Sequence, residues 1–361
     1  MPTISLCMIV KNEEAHIARC LDSVAELVDE IIIVDTGSTD QTVEIVSTYT
    51  SQVYMYPWKD DFSEARNYSF SKATMDYCMW MDADDILEKT EKEKFLQLKQ
   101  SLSADTDIVM MKYNTSFDEA GKPSFSYFRE RWIRNCEQYR WIGAVHEVIP
   151  PNGRVVYSDI AVCHKKEGAG DPDRNLRIYQ KMLAEGKALE PRQRYYYGRE
   201  LYYHNQYEEA AFVLEEFLHL EEGWIENKIE ACSVCASCYY KLGQDQTALL
   251  MLLRSLSFDL PRAELCCEIG KHFLEHANFR NAIYWYEVAL HIPKNEYSGG
   301  FMLPDCYDYI PYLQLCVCYD RLGDQQKAKE YNEKAGICKP YSPAYLYNKQ
   351  YFDSIQLKEQ G

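Results

Sequence analysis

The stretch YCMWMDADD, residues 77–85, decides the fold of the first half of the chain. An apolar run typical of a buried strand leads directly into three carboxylates. Two earlier segments also read as strands, ISLCMIV at residues 4–10 and EIIIVD at residues 30–35, and QVYMYP at residues 52–57 reads as a fourth. Helical periodicity separates these runs, which predicts strand–helix–strand units and a mostly parallel sheet. We therefore expect an α/β domain of the Rossmann-like type.

Acidic residues follow two of the predicted strands. Asp35 ends one strand, and Asp82, Asp84 and Asp85 follow another. Ligands of open α/β sheets bind beyond the carboxyl ends of the strands, where crowded carboxylates repel one another unless a cation neutralises them. A divalent metal site is one interpretation. The alternative is that these aspartates cap the following helix or turn.

The pattern changes along the chain. Residues 106–164 contain short mixed runs rich in aromatics, which predict a β-rich continuation of the first domain. Gly168, Gly170 and Pro172 then interrupt the pattern, and almost continuous helical periodicity follows. The sequence therefore predicts an α/β domain at residues 1–168 and an all-α domain at residues 169–361.

Small residues recur in the helical half in pairs twelve positions apart, and a bulky residue follows the first member by three. The pairs are Gly198 with Ala210, Ala236 with Ala248, Gly270 with Ala282, and Cys316 with Ala328. The spacing of 34 residues between Ala248 and Ala282 resembles that of tetratricopeptide repeats, in which small residues permit close helix approach. The alternative is a generic helical bundle.

Composition excludes several classes of protein. The chain has 361 residues, a net charge of −17 and fourteen cysteines. Such acidity disfavours nucleic acid as a partner, and no stretch approaches the ~20 apolar residues needed to span a bilayer. The start lacks a secretory pattern, so we expect a cytoplasmic protein with reduced thiols. Cys232, Cys235 and Cys238 contain a CxxC spacing, but no second ligand pair lies nearby to complete a zinc site.

Four segments in this order, ISLCMIVKNEE, EIIIVDTGSTDQT, DDFSEARN and WMDADD, resemble the family 2 glycosyltransferases of the GT-A fold over residues 3–165. The resemblance implies an inverting, metal-dependent transfer from a nucleotide sugar, a UDP-sugar, with Mn²⁺ or Mg²⁺. The motifs WKDDFSEARN, GAVHE and VCH, with the helical half, are similar to a subgroup that includes peptide glycosyltransferases modifying bacteriocins. That similarity implies a peptide or protein acceptor, modified on Ser, Thr or Cys.

The resemblance also assigns residues to the metal. Asp84 and Asp82 would bind the cation that bridges the two phosphates, although Asp82 is also placed to bind the ribose. His164, which ends the apolar run DIAVCH, resembles the histidine that completes the metal shell in many GT-A enzymes. Its alternative is a local hydrogen bond at a strand end.

Other positions would bind the nucleotide. Asp35 would contact the nucleobase or the ribose, and Arg66 would supply a cation unless it is a surface helix charge. Thr36 stands where the family commonly has a second acid, and Lys11 where many members have tyrosine. These two departures put the family's uracil contacts in doubt.

His146 and Glu147 occupy the place of the acceptor-side catalytic residue. Either side chain is a candidate general base, and we favour Glu147 with His146 orienting it. Gly143 would let the backbone approach the sugar, and Trp132 and Trp141 are candidates for stacking on a sugar face. The alternative for His146 and Glu147 is a structural salt link.

Other functions stay open at this point. The same transfer to a cell-envelope glycan or a lipid-linked sugar is the leading alternative. A repeat scaffold with a degenerate catalytic half is a weaker one, because all three aspartates after residue 81 are present. A nucleotidyltransferase would require a Gly-rich basic loop that KNEEAHIARC does not supply. The repeats are also candidates for a homodimer interface.

Overall fold

A computed structural model describes residues 1–117, 121–165, 170–295 and 299–359, with side chains of the last helix described to residue 355. Contacts divide the chain into two compact units, Met1–Gln193 and Arg194–Gly361. The boundary predicted after residue 168 lies outside the described residues. The boundary between the two compact units lies after Gln193, later than the predicted one, because residues 174–184 pack with the first unit.

The first unit contains a single mixed sheet, which confirms the predicted α/β domain. Its order is β3-β2-β1-β4-β7-β6-β8-β5. The first four strands in this order are parallel, whereas β7 runs antiparallel to both β4 and β6. The strands are β1 Ile4–Val10, β2 Glu30–Asp35, β3 Val53–Met55, β4 Tyr77–Trp80, β5 Asp85–Leu87, β6 Ile108–Phe117, β7 Pro123–Arg134 and β8 Val155–His164.

Helices cover the sheet of the first unit. They are α1 Ile17–Val24, α2 Thr42–Val46, α3 Phe62–Phe70, α4 Lys89–Ser101 and α5 Arg174–Ala184. The α1 helix buries its predicted apolar face completely, through Ile17, Cys20, Leu21 and Val24. In α5, Tyr179 is fully buried and the Lys181 ammonium lies 2.6 Å from Asp60, so this helix belongs to the α/β unit.

The second unit consists of helix pairs, as the repeat pattern predicted. The pairs are α6 Pro191–Tyr203 with α7 Tyr207–Leu218, α8 Ile225–Lys241 with α9 Asp245–Arg254, α10 Ala263–Glu275 with α11 Phe279–His291, and α12 Tyr309–Arg321 with α13 Gln325–Cys338. A final helix, α14, spans Pro343–Glu359. All eight small residues of the predicted pairs are buried. None of the helices in the described ranges is long and apolar enough to cross a membrane.

The turn inside each helix pair has three residues and the same construction. Its middle residue has a positive φ, which closes the helix in the left-handed conformation. These middle residues are Asn205 (59°), Gly243 (71°), Ala277 (55°) and Gly323 (83°). The last turn residue donates its N–H to the carbonyl of the bulky residue of each repeat, Leu201, Tyr239, Phe273 or Tyr319. The bulky residue of each repeat therefore helps to close the first helix of its pair.

All fourteen cysteines lie in the described ranges as free thiols. Twelve are buried, Cys338 is half-buried and Cys136 is exposed. Burial raises the pKa of Cys232 to about 12 and that of Cys238 to about 12. These thiols therefore pack as small apolar side chains and stay protonated at neutral pH.

The turns predict a reciprocal pair of stability changes. Ala277 holds a left-handed conformation that costs an L-residue about 1 kcal/mol, whereas Gly243 holds the equivalent position without that cost. We expect Ala277→Gly to raise the free energy of unfolding by up to about 1 kcal/mol and Gly243→Ala to lower it by a similar amount. Urea unfolding followed by circular dichroism measures both. A loss of stability in Ala277→Gly would contradict this account of the turns.

Candidate active site

Strand pairing brings distant acidic and basic residues to one edge of the sheet. Asp35, at the end of β2, pairs in register with Val10, at the end of β1. The loop after β4 carries Asp82 and Asp84, and it leads into β5. There Asp85 pairs in register with His164, the last residue of β8. Asp84 and Asp85 therefore meet the predicted histidine, His164, although they are far from it in sequence.

Asp85 anchors this edge. Its side chain is fully buried, and one carboxylate oxygen lies 3.0 Å from the fully buried guanidinium of Arg131. The same carboxylate accepts hydrogen bonds from the Tyr113 hydroxyl at 2.8 Å and from the Asp82 backbone N–H at 3.2 Å. A buried charge requires such partners, and here they fix the loop that carries Asp82 and Asp84.

His164 lies between two carboxylates. Its Nδ1 is 3.3 Å from an oxygen of Asp84 and 3.3 Å from an oxygen of Asp85, and the Tyr113 hydroxyl is 3.0 Å away. Burial lowers the pKa of His164, but the hydrogen bonds to both carboxylates outweigh it and raise the pKa to about 10. The Nδ1 side of the ring is therefore held by the buried Asp85, by Asp84 and by Tyr113.

Asp84, Asp85 and His164 form the acidic cluster in the described residues whose ligand atoms lie close enough to share a metal ion. Both oxygens of Asp85 already accept hydrogen bonds, so Asp84 and His164 are the better candidate ligands. Their side chains are 16% and 25% exposed, which leaves them accessible to an ion. Carboxylate oxygen with imidazole nitrogen suits Mn²⁺, and the carboxylate alone suits Mg²⁺.

Asp82 lies apart from this cluster because Arg66 binds it. The Arg66 guanidinium is 2.7 Å from Asp82 and 2.6 Å from Glu147, and its side chain is only 7% exposed. It lies over the ring of Trp80 at 4.7 Å and that of Trp141 at 5.0 Å. The interpretation of Arg66 as a surface helix charge is therefore wrong.

Arg66 also sets the electrostatics of its two partners. Burial raises the pKa of Asp82, but the Arg66 charge and hydrogen bond outweigh burial and hold that pKa below its ordinary value. Burial lowers the pKa of Arg66, but the charges of Asp82 and Glu147 outweigh burial, so the pKa of Arg66 lies above its usual range. One permanent cation thus links the predicted phosphate side of the site to the predicted acceptor side.

The segment around Glu147 is conformationally constrained. His146 has a φ of 52°, unusual for a residue with a side chain, and Gly143 has a φ of 97°. The Ala144 carbonyl accepts a hydrogen bond from the Phe62 N–H at 2.9 Å, which holds the segment against α3. Such strained positions cluster at functional sites, where surrounding contacts enforce them.

The predicted nucleotide residues lie at the ends of β1 and β2. Asp35 is fully buried, and its carboxylate accepts hydrogen bonds from the N–H groups of Gly37 and Ser38 at 3.0 Å. The Thr36 hydroxyl donates to the Val10 carbonyl at 3.0 Å. Lys11 is exposed directly after β1. In this structure Asp35 and Thr36 hold the loop between β2 and α2.

The prediction that Trp132 and Trp141 stack on a sugar is wrong, because both side chains are buried. Trp132 is 0% exposed and packs edge-to-face on Phe95, and Trp141 is 2% exposed and packs edge-to-face on Trp80. Neither face is accessible to a sugar. Both indoles fill the core behind the site.

Sequence reasoning missed three contributors to this edge. Glu13 lies near Asp84 and Asp82, and burial with these neighbouring charges raises its pKa. Arg131 is the partner of Asp85, and Arg129 stacks over Trp80 at 4.8 Å. Residues two positions apart in a strand point to the same face of the sheet. The run YFRERWI could therefore have indicated that Arg129 and Arg131 share one face of β7.

Comparisons with known proteins agree with this geometry. Residues 5–151 match the family model of glycosyl transferase family 2. A TPR repeat-containing protein of Synechococcus elongatus is 36% identical over 152 residues, which cover 41% of this chain and 36% of that protein. The SPbeta prophage-derived glycosyltransferase SunS of Bacillus subtilis is 30% identical over 234 residues, covering 60% of this chain and 54% of that protein. The chain thus matches about half or less of each of these two relatives.

A third relative is the lipopolysaccharide core biosynthesis glycosyltransferase LpsC of Rhizobium meliloti. It is 33% identical over 169 residues, which cover 42% of this chain and 58% of that protein. These comparisons confirm the predicted family 2 glycosyltransferase domain over residues 5–151.

The position of His164 predicts how pH changes the stability of the metal-free protein. Its pKa of about 10 in the folded chain exceeds the ordinary 6.5, so the folded state holds a proton that the unfolded state loses between these values. This stabilisation is complete below about pH 6.5 and is lost as pH rises toward 10. We expect His164→Gln to flatten part of the fall in unfolding free energy over this range.

Urea unfolding in EDTA at several pH values measures this difference. His291→Gln, which changes an exposed histidine at the end of α11, is the matched control and should retain the wild-type profile. Parallel profiles for wild type and His164→Gln would contradict the proposed carboxylate contacts.

Proposed function

We propose that this chain is a metal-dependent, inverting glycosyltransferase that moves a sugar from a UDP-sugar to a side chain of a peptide or protein. One observation carries the proposal. Asp84 and His164 approach within 3.3 Å at the edge where Arg66 joins Asp82 to Glu147. A candidate cation site and a candidate base are thereby held in one rigid network. The family match over residues 5–151 supports the reaction class.

The acidic edge divides into two roles. Asp84 and His164 would hold Mn²⁺ or Mg²⁺, and Asp85 contacts the same imidazole nitrogen, Nδ1, that faces Asp84. When bound, the cation would neutralise the charge that develops on the departing diphosphate. Asp82, whose other oxygen is bound by Arg66, would contact the ribose or the cation through its second carboxylate oxygen.

Nucleotide binding is assigned to the neighbouring strand ends. Lys11 is exposed beside β2 and would supply a charge to the nucleotide. Asp35 and Thr36 would contact the nucleoside, with their present hydrogen bonds setting the shape of the loop. Arg66 would add a fixed positive charge beside the phosphates.

Glu147 is the proposed general base. The Arg66 Nε donates a hydrogen bond to the Glu147 carboxylate at 2.6 Å and orients it, and a carboxylate so held would accept the proton of the acceptor. The constrained backbone at His146 holds Glu147 in place, and the His146 imidazole is the alternative base. Inversion means that the acceptor attacks the face of the sugar opposite the departing diphosphate. The inverting outcome rests on the family resemblance.

The acceptor is the least constrained part of the proposal. The resemblance to bacteriocin-modifying enzymes and the helix pairs of the second unit favour a peptide or protein. A cell-envelope glycan is the second candidate, favoured by the similarity to the lipopolysaccharide core enzyme LpsC. A cytoplasmic location and a homodimer through the helical repeats belong to the same proposal.

The direct test is transfer with defined donors. We expect hydrolysis of one member of a panel of UDP-sugars with Mn²⁺ or Mg²⁺, and transfer to a peptide seen as a mass increase of one sugar. Asp84→Asn should reduce metal-dependent turnover by at least about a hundredfold, because it removes a ligand charge and little packing. Asp105→Asn, at an exposed site before β6, is the matched control and should retain activity.

Each result is informative. Turnover in Asp84→Asn equal to that of wild type would remove Asp84 from the metal site. Transfer to a glycan acceptor but to no peptide would overturn the peptide assignment and favour the envelope alternative.

The base assignment predicts a difference between two acceptor atoms. A hydroxyl requires proton removal during attack, so loss of the base should cost about 10² to 10⁴ in rate. A cysteine thiol, with an ordinary pKa of about 8.5, is already partly thiolate near neutral pH. We expect Glu147→Gln to impair transfer to Ser strongly and to spare transfer to Cys, most clearly near pH 8.5.

Matched Ser and Cys peptides, assayed across pH, measure this effect. Glutamine preserves an oxygen that can accept the hydrogen bond from Arg66, and donor binding is checked for each variant. Equal losses on both peptides at every pH would place Glu147 in a positioning role and move the base to His146, which His146→Ala then tests.

A further inference from the structure

The segment that carries Glu147 is bound through its backbone from several sides. Four consecutive carbonyls, those of residues 144–147, each accept a hydrogen bond from a different helix or strand. The donors are, in the order of these carbonyls, the Phe62 N–H at 2.9 Å, the Tyr179 hydroxyl at 3.4 Å, the Arg192 Nε at 3.2 Å and the Arg129 Nη2 at 3.3 Å. They belong to α3, α5, α6 and β7. We call residues 144–147 the Glu147 segment.

The backbone of this segment requires such partners. Ala144 and Val145 are buried, and a buried carbonyl that has lost its bond to water must find another donor. His146 has a φ of 52°, a left-handed conformation that a residue with a side chain adopts only where its surroundings enforce it. The segment is closed by reciprocal hydrogen bonds between the backbones of Ile142 and Val148. Its conformation is therefore imposed by neighbouring elements.

Arg192 holds the strained residue itself, because its Nε binds the carbonyl of His146. It lies in the first turn of α6, before the boundary between the two compact units, although it is 46 positions after His146 in sequence and falls in the predicted all-α half. Tyr179 is fully buried in α5, and its hydroxyl binds the neighbouring carbonyl of Val145. Both donors come from helices that follow the sheet in sequence, so the sheet alone does not fix the backbone at His146.

We propose that Arg192, together with Tyr179, is a positioning residue that holds the backbone of the Glu147 segment in the conformation that presents Glu147 to the acceptor. The Arg66 Nε orients the Glu147 carboxylate, and Arg192 fixes the backbone directly before it. The consequence for catalysis rests on the proposed function, whereas the hold on the segment is measurable without it. The α5 helix and the first turn of α6 are thereby part of the site.

Hydrogen–deuterium exchange of the full-length protein, followed by mass spectrometry, measures the hold directly. The Val148 N–H donates to the Ile142 carbonyl at 3.1 Å, so its exchange reports opening of the segment. Arg192→Met keeps the apolar stem and removes the donor, and we expect it to speed exchange in peptides spanning residues 142–149 by about tenfold or more. Tyr179→Phe, which removes only a hydroxyl, should speed it less. Arg194→Met, at a half-buried arginine of the same helix, is the matched control and should exchange as wild type does.

Transfer kinetics then test the link to Glu147. A displaced base should slow attack by a hydroxyl, so we expect Arg192→Met to lower kcat by about ten- to a hundredfold for a hydroxyl acceptor, which is a Ser peptide or, through donor hydrolysis, water. Transfer to the matched Cys peptide and the KM for the donor should stay close to those of wild type. Circular dichroism and thermal unfolding establish that each variant is folded as wild type is.

The possible outcomes decide the proposal. Faster exchange in Arg192→Met, with a loss confined to the hydroxyl acceptor, supports it. Wild-type exchange in folded Arg192→Met would overturn it, and so would equal losses on hydroxyl and thiol, since Arg192 would then support the fold without acting through the base. If Arg192→Met does not fold, the same two measurements on Tyr179→Phe decide. Absence of transfer and of donor hydrolysis in wild type would overturn the proposed function instead, and exchange would still decide whether Arg192 holds the segment.

Discussion

The ion pair between Asp85 and Arg131 is the constraint on which the candidate active site depends. Both side chains are fully buried, and removing one partner of such a pair typically costs about 3–5 kcal/mol because the other charge is left uncompensated. The pair joins the start of β5 to β7, and Asp85 also contacts His164 at the end of β8. Three segments distant in sequence are therefore fixed by one interaction.

Arginines also resolve the repulsion expected among so many carboxylates. Arg66 forms ion pairs with Asp82 and Glu147, and Arg131 forms one with Asp85. The guanidiniums of Arg66, Arg129 and Arg131 all lie within 5 Å of the Trp80 ring, whose negative face favours cations. Asp82, Glu147 and Asp85 therefore each have an arginine partner within the chain itself. Asp84 differs from these three, because its carboxylate lies 3.3 Å from the titratable ring of His164.

Much of the architecture was predictable from sequence because it depends on local patterns. The strands ending at Asp35 and before Asp82 follow from apolar runs, and the helix pairs follow from small residues twelve apart. The partners of the acids were not predictable, since Arg131 lies in a strand that pairs with β6 and β4 rather than next to Asp85 in sequence. Trp141 was misjudged because sequence shows an aromatic residue beside a motif but not which side of the sheet covers it. Arg66 lies in a helix, and only the packing of α3 against the sheet reveals its burial.

The distribution of the cysteines bears on how this protein can be studied. Cys136 follows β7 directly and is the one exposed thiol among fourteen, while Cys338 is half-buried. Thiol-reactive reagents attack an accessible thiolate, and twelve of the other cysteines are buried away from such reagents. A maleimide dye would therefore mark Cys136 selectively, without prior replacement of the remaining cysteines. The native chain already carries a single-site attachment point on its α/β unit for spectroscopic distance measurements.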